Sequence, residues 1–366
     1  RRRDHVQRGE ALCSASVNFP QGRLTGVCVW ENFSGVVMII KRRQAVSALG
    51  GMLCYPLLSR LLDAAPKPES GAFRISMQPW IGYALWYVAQ DKGIFEKNGL
   101  KRVEFVNFSE DAANLAILAS GAIEGTSTAL QGVMQHLQQD ENLRVVMLED
   151  SSTTADCILA PKSIKSVADL KGKSVAFEIG STSHLLIADA VGKAGLKLSA
   201  IKAVNVPAAQ AAAALIAGRV DAAVTYEPYA SAALQARSDI QRLYTAGQSP
   251  GLIGDCFLVT GKALATRPGQ VAAMIKSWGD AEQEYQRNPR ECQRIMAKGI
   301  GADANNLGPA FSGIHYYSLA ESRAALTSDF STAVLPRINS LCVELGLIKK
   351  PIKSEKIVDL GPINAL

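Results

Sequence analysis

Two stretches of this chain carry the same succession of elements, and that duplication constrains the fold more than any other feature. The first opens with an apolar strand over 73–77 and a loop through Trp80 and Gly82. A helical segment ends near Gly93, and the turn Asn98-Gly99-Leu100-Lys101 leads to a strand over 103–107. A helix from Asp111 to Ser120, closed by Gly121, then feeds a returning strand over 123–128. The second stretch runs from a strand over 174–178 and the loop Gly180-Ser181-Thr182-Ser183 into a helix over 184–193. The turn Gly195-Leu196-Lys197, a strand over 203–206, a helix over 208–217 closed by Gly218, and a strand over 220–225 follow. A glycine closes a helix because it accepts the left-handed backbone that other residues resist. The same Gly-Leu-Lys, Val-Asn and closing-glycine signals return in order about 97 residues on, a period that reads as duplicated units rather than a solenoid. Strand alternating with helix predicts mostly parallel sheets covered by helices, so the reading is two similar α/β lobes.

Parallel sheets bind ligands beyond the carboxyl ends of their strands, and two facing sheets make a cleft. More helix follows than the second unit needs, notably over 270–287 and 318–345, and it is expected to pack back onto the first lobe. The expected division is 66–156 with 258–366 as lobe 1 and 157–257 as lobe 2. Crossings near Asp156–Pro161 and Gly254–Val259 would then form the hinge.

The net charge of +6 would suggest nucleic acid if it lay in the folded part. Residues 1–65 hold nine Lys/Arg against four Asp/Glu, leaving the remainder nearly neutral, and no basic stripe is interleaved with aromatics. A nucleic-acid partner is therefore not expected. The basic excess belongs to a leader. Residues 1–37 read as upstream sequence that is not native, and Met38 opens a different layout. Lys41-Arg42-Arg43 form a positive region, an apolar stretch with small residues follows, and cleavage is expected near residue 65. Together 38–65 read as a signal peptide, with Sec or twin-arginine export left open, which implies an exported, periplasmic protein. No other apolar run reaches the roughly 18 residues of a membrane span. Four histidines and no C-x-x-C argue against a zinc site, and no cofactor is expected.

Several runs resemble the substrate-binding proteins of nitrate/taurine/sulfonate-type ABC importers, a group that includes NMT1/THI5-like proteins. They are Trp80-Ile-Gly-Tyr83, Ala89 through Phe95, Ser166 through Lys173, Glu178 through His184, Gly218 through Pro228 and Ser249 through Asp255. The resemblance spans about 72–345. It implies a type II periplasmic-binding-protein fold, two similar α/β lobes joined by a two-crossing hinge, and no catalysis. It further implies a monomer that hands a small solute to a permease and ATPase in the inner membrane. The group's solutes leave a sulfonate, a taurine-like zwitterion, a thiamine-precursor pyrimidine or a urea-type amide open, while a bare nitrate suits the candidate residues less well.

The candidate ligand contacts follow from loop position and this resemblance. Ser181, Ser183 and His184 sit at a helix start, where free N–H groups favour an anion, although the serines serve equally as caps. Trp80 and Tyr83 offer rings with a polar handle, or ordinary core packing. Thr126, Thr128 and Thr225 end returning strands. Asp156 and Glu227 would suit an amino-bearing ligand, or else fix the hinge and the Glu-Pro turn. Cys157 and Cys256 each follow an aspartate on a proposed crossing, which raises a Cys157–Cys256 disulfide as a hypothesis. Rival functions are an enzyme using paired carboxylates and a solitary sensor. No G-x-S-x-G, Walker loop or H-E-x-x-H supports the enzyme.

Overall fold

The computed structural model describes residues 27–31, 37–41 and 66–366, apart from 109, 110, 303, 329 and 354–356. The chain divides into two units, 1–64 and 65–366. In the first, the β-branched runs β1 (Val27–Glu31) and β2 (Val37–Lys41) pair antiparallel, where no strand was expected. The rest of the leader, with the apolar stretch of the signal segment and its cleavage point, lies outside the described residues.

In the larger unit each copy of the repeat builds the parallel part of one sheet. β3 (Phe73–Met77) lies between β4 (Val103–Asn107) and β5 (Gly125–Ala129). Likewise β8 (Ser174–Phe177) lies between β9 (Lys202–Asn205) and β10 (Ala222–Thr225). Helix α1 (Leu85–Asp91) covers the first strand connection, and α2 (Asp111–Ala119) precedes β5, which runs straight into α3 (Leu130–Gln139). In the second copy α4 (Thr182–Lys193) and α5 (Ala208–Ile216) take the places of α1 and α2. Gly121 and Gly218 follow α2 and α5 with φ of +70° and +68°, so both repeats end this helix by the same left-handed step.

One further strand then joins each parallel trio from the opposite direction. β12 (Gly254–Thr260) pairs antiparallel with β5, and β7 (Cys157–Pro161) pairs antiparallel with β10. With β6 (Leu143–Ser152), β11 (Ile240–Thr245) and β13 (Ile314–Tyr316) the sheets read β4-β3-β5-β12-β6-β13 and β9-β8-β10-β7-β11. The chain enters the second sheet on β7 and returns to the first on β12, so each crossing delivers a strand that binds its new sheet.

This moves the crossings. They occupy 153–156 and 246–253, whereas Asp156–Pro161 and Gly254–Val259 were expected. The runs Cys-Ile-Leu-Ala and Cys-Phe-Leu-Val are buried throughout and flanked by strands on both sides, the position such apolar runs take in a sheet interior. Residues 254–257, expected in the second lobe, belong to the first sheet. The two crossings run side by side: Ala246 N–H donates to Asp156 O at 3.0 Å and Ser152 N–H to Ile253 O at 3.1 Å. The disulfide hypothesis falls with the misplaced crossings. Cys157 lies in one sheet opposite Thr225 and Thr245, Cys256 in the other opposite Thr128 and Leu148, and both are free. Burial pushes the Cys157 thiol up to about 12.

The C-terminal helices pack on the first sheet, as anticipated. In α6 (Pro268–Arg287), Trp278 meets Trp86 of α1 edge-on at 5.0 Å, within a core that also holds Phe73 and Phe257. The expected helix over 318–345 is broken in two. Leu319–Thr327 starts at a Ser318/Glu321 capping box, and α7 (Leu335–Glu344) restarts with Pro336 in its first turn. Proline fits only there, because deeper in a helix its ring displaces the preceding carbonyl and leaves no N–H to donate.

Candidate functional site

Beyond the carboxyl ends of β3, β5, β8 and β10 the two sheets face one cleft, with about 450 Å³ of atom-free space including its open mouth. The first lobe contributes Gln78, Trp80, Tyr83, Ala129 and Gln131; the second contributes Glu178, Ser181, Thr182 and Tyr226. Asp156 and Ile253 come from the crossings, and Asp255 from the start of β12. Gln78 and Glu178 are each the first residue past the first strand of their repeat, so the duplication reaches into the cleft itself.

A carboxylate cluster organises the floor. Asp255 accepts Trp80 Nε1–H at 2.9 Å and Tyr83 O–H at 3.1 Å, tying the Trp80–Tyr83 turn to β12. Directly opposite Asp255 in the sheet register stands Asp150 of β6, fully buried. Burial first, then the Asp255 charge, holds Asp150 well above the usual carboxylate range. Glu149, its neighbour on β6, accepts Ser127 Oγ–H at 2.8 Å and Trp86 Nε1–H at 3.1 Å and is raised by the same burial. Asp156 is buried, its backbone N–H donates to Ser152 Oγ, and its Oδ2 has no partner. Burial raises it to about 7, with Asp255 and Glu227 adding to the effect.

Gly82 makes this packing feasible. A Cβ there would lie 2.2 Å from Asp150 Oδ2 and 2.2 Å from Trp80 Nε1. Gly82→Ala is therefore expected to push Trp80 off Asp255 and to cost about 1–3 kcal/mol of stability. The expected loss of solute affinity is roughly tenfold or more. Denaturant melts and titration of the best-binding solute check both.

The structure brings Trp80, Tyr83, Asp156 and Ser181 together around the cleft. The other six candidates are placed elsewhere. Thr126 Oγ1 donates to Ser76 O and Asn114 Oδ1, both at 3.0 Å, inside the first lobe. Thr225 Oγ1 donates to Ala208 O at 2.9 Å, fastening β10 to α5. Thr128 sets its hydroxyl where a Cβ on Gly132 would lie 2.6 Å away. Ser183 is buried in the first turn of α4 with its hydroxyl unpartnered. His184 stacks on Phe177 at 5.4 Å and accepts Gly180 N–H on Nδ1 at 3.3 Å, and burial keeps its pKa below the ordinary imidazole value. Glu227 is fully buried in an ion pair with Arg242 and accepts the N–H and O–H of Ser231 at 3.0 and 2.9 Å. It braces the turn after Tyr226, whose backbone is tied to the crossing by Glu227 N–H donating to Ala155 O at 3.1 Å.

Sequence reasoning passed over Gln78, Gln131, Glu178, Tyr226 and Asp255. Repeat symmetry would have found the Gln78–Glu178 pair. Asp255 had a weaker signal, an acid opening an apolar run, and its use depends on which strand that run becomes.

Two sheets of this order, joined by paired crossings around a cleft, define the type II periplasmic-binding-protein fold. The chain belongs to the NMT1/THI5-like family, whose model matches residues 80–292. It is 28% identical over 261 residues to an Escherichia coli K12 protein named for aliphatic sulfonates binding, covering 70% of this chain and 79% of the relative. The crystal structure of the periplasmic aliphatic sulphonate binding protein SsuA from Escherichia coli superposes with a TM-score of 0.70 at 23% identity, covering 80% of this chain and 92% of that one. The desulfurization enzyme DSZB shares the fold at TM-score 0.61 and 14% identity, covering 81% and 98%, so the fold alone does not separate binding from catalysis. Among the described residues no helix is long and apolar enough to cross a membrane.

Proposed function

We propose that this chain is the substrate-binding component of an ABC importer, exported with cleavage near residue 65, that captures a small polar solute between its lobes as a monomer. It hands the solute to a permease and ATPase in the inner membrane. The observation that carries this reading is the cleft, lined from both lobes and from the two crossings between them. A ligand touching Trp80 on one side and Ser181 on the other interacts more strongly with a closed form than with an open one, and that difference drives closure. Binding rather than catalysis is supported by the chemistry at hand. Cys157, next to the cleft acid Asp156, is buried with a thiol near 12 and is no nucleophile at neutral pH. His184 is held against Phe177 with Nδ1 occupied.

Thermal melts of the full chain against sulfonates, taurine, nitrate, ureas, guanidines and aminopyrimidines test the proposal. A solute at a hundred times its dissociation constant is expected to add about 2.7 kcal/mol. The gain should disappear in a Trp80→Ala, Ser181→Ala double variant that still melts cooperatively. Turnover of a bound solute, or a stabilising hit untouched by the double variant, would refute it.

A further inference from the structure

We infer that the solute is an organic cation bearing N–H donors, seated with its charged nitrogen on Asp156 and its carbon frame against Trp80 and Tyr226. This deepens the solute-binding reading and rests on it. Three carboxyl groups, Asp156, Glu178 and Asp255, line the cleft, and among the described lining residues there is no Lys, Arg or His.

Several donors that an anion would use are already engaged. Trp80 Nε1–H and Tyr83 O–H are both given to Asp255. The Ser181 hydroxyl donates to Glu178 O at 2.9 Å while accepting Ser183 N–H at 3.1 Å, and His184 N–H bonds Ser181 O at 3.1 Å. The start of α4, the natural anion seat, has thus committed the N–H groups of Ser183 and His184 within the chain. The unmet demand is the opposite one. Asp156 Oδ2 is buried in the lining with no partner, and a buried acceptor of this kind is costly until a donor arrives. An N–H⁺ group supplies both the donor and the compensating charge. Trp80 and Tyr226, edge to face with centroids 5.4 Å apart, offer an aromatic wall that favours a cation over an anion.

Calorimetric titration of the full chain at pH 8 tests the inference with two sets of probes. The cationic set is agmatine and butylamine; the comparison set is butanesulfonate, taurine and nitrate. At least one cationic probe is expected to bind, and Asp156→Asn is expected to weaken it roughly tenfold or more. Glu178→Gln, at a half-buried lining position, should weaken it by a smaller factor and gives a second readout independent of Asp156. Binding of butanesulfonate or nitrate with no response to the cationic set overturns the inference while leaving the solute-binding proposal standing. Taurine binding that is indifferent to both variants does the same. Silence from every probe, with a cooperative melt, overturns both.

Discussion

Arg242→Met is expected to lower the melting temperature of the protein by roughly 6–12 °C. Glu227 is fully buried, and the Arg242 guanidinium is its charge partner. Removing one member of such a pair leaves the other charged in a low-dielectric site, a loss of about 3 kcal/mol. Methionine replaces the aliphatic stem of arginine, so lost packing contributes little. The double variant Arg242→Met, Glu227→Gln is expected to recover most of the loss, because the orphaned charge is gone and the glutamine amide can still accept from Ser231. Thermal and urea melts of the two single variants and the double variant check this. Equal melting of Arg242→Met and the parent would show that Glu227 draws its stability elsewhere. The same substitution should weaken solute binding, since the turn that Glu227 braces carries Tyr226 into the cleft.

Asp156→Asn is expected to stabilise the solute-free protein at pH 8 by on the order of 4 kcal/mol while it weakens binding. The carboxyl titrates near 7 in the folded state, above its ordinary value of 3.8. The groups facing it are acidic: Asp255 on β12, Asp150 behind it, and Glu227, whose charge is offset by Arg242. A folded-state pKa raised in this way means that the unfolded chain gives up the proton first. Stability therefore falls as pH rises from about 4 to about 7 and stays low above that. Asparagine carries no proton to lose. The gain in melting temperature over the parent should be large at pH 8 and small at pH 4. A constant gain across that range would mean that the carboxyl titrates normally. A site residue that lowers the stability of the empty protein is consistent with an acid held ready for a cationic partner.

Much of the architecture was legible in the sequence because it is written in local signals. The glycines after α2 and α5 stand 97 residues apart and adopt nearly the same left-handed φ, a backbone demand that any chain must meet with glycine or pay for in strain. Alternating strand and helix then imply parallel sheets, and parallel sheets place ligands beyond their carboxyl ends, where Trp80, Tyr83 and Ser181 indeed lie. The crossings were harder to read. Apolar runs opening with Asp-Cys look alike whether they join two sheets or sit within one, and only strand pairing distinguishes the cases. Once β7 and β12 are sheet interiors, the two cysteines part and Asp255 enters the cleft.

The direction each side chain faces was decided by tertiary structure alone. Thr225 ends β10 and Glu227 follows it, as the repeat implies, while Thr126 falls second in β5 rather than at its end; their polar atoms turn to Asn114, Ala208, Ser231 and Arg242. A buried polar group takes whichever partner the packed fold brings within about 3 Å, and sequence spacing does not reveal that choice. Trp80 meets Asp255 across 175 residues of chain, and no local period encodes such a contact. Sequence thus determined the duplicated scaffold and the end of it that binds, through backbone geometry and periodicity. Tertiary structure determined which acids line the cleft, through strand register and competition among buried hydrogen-bond partners.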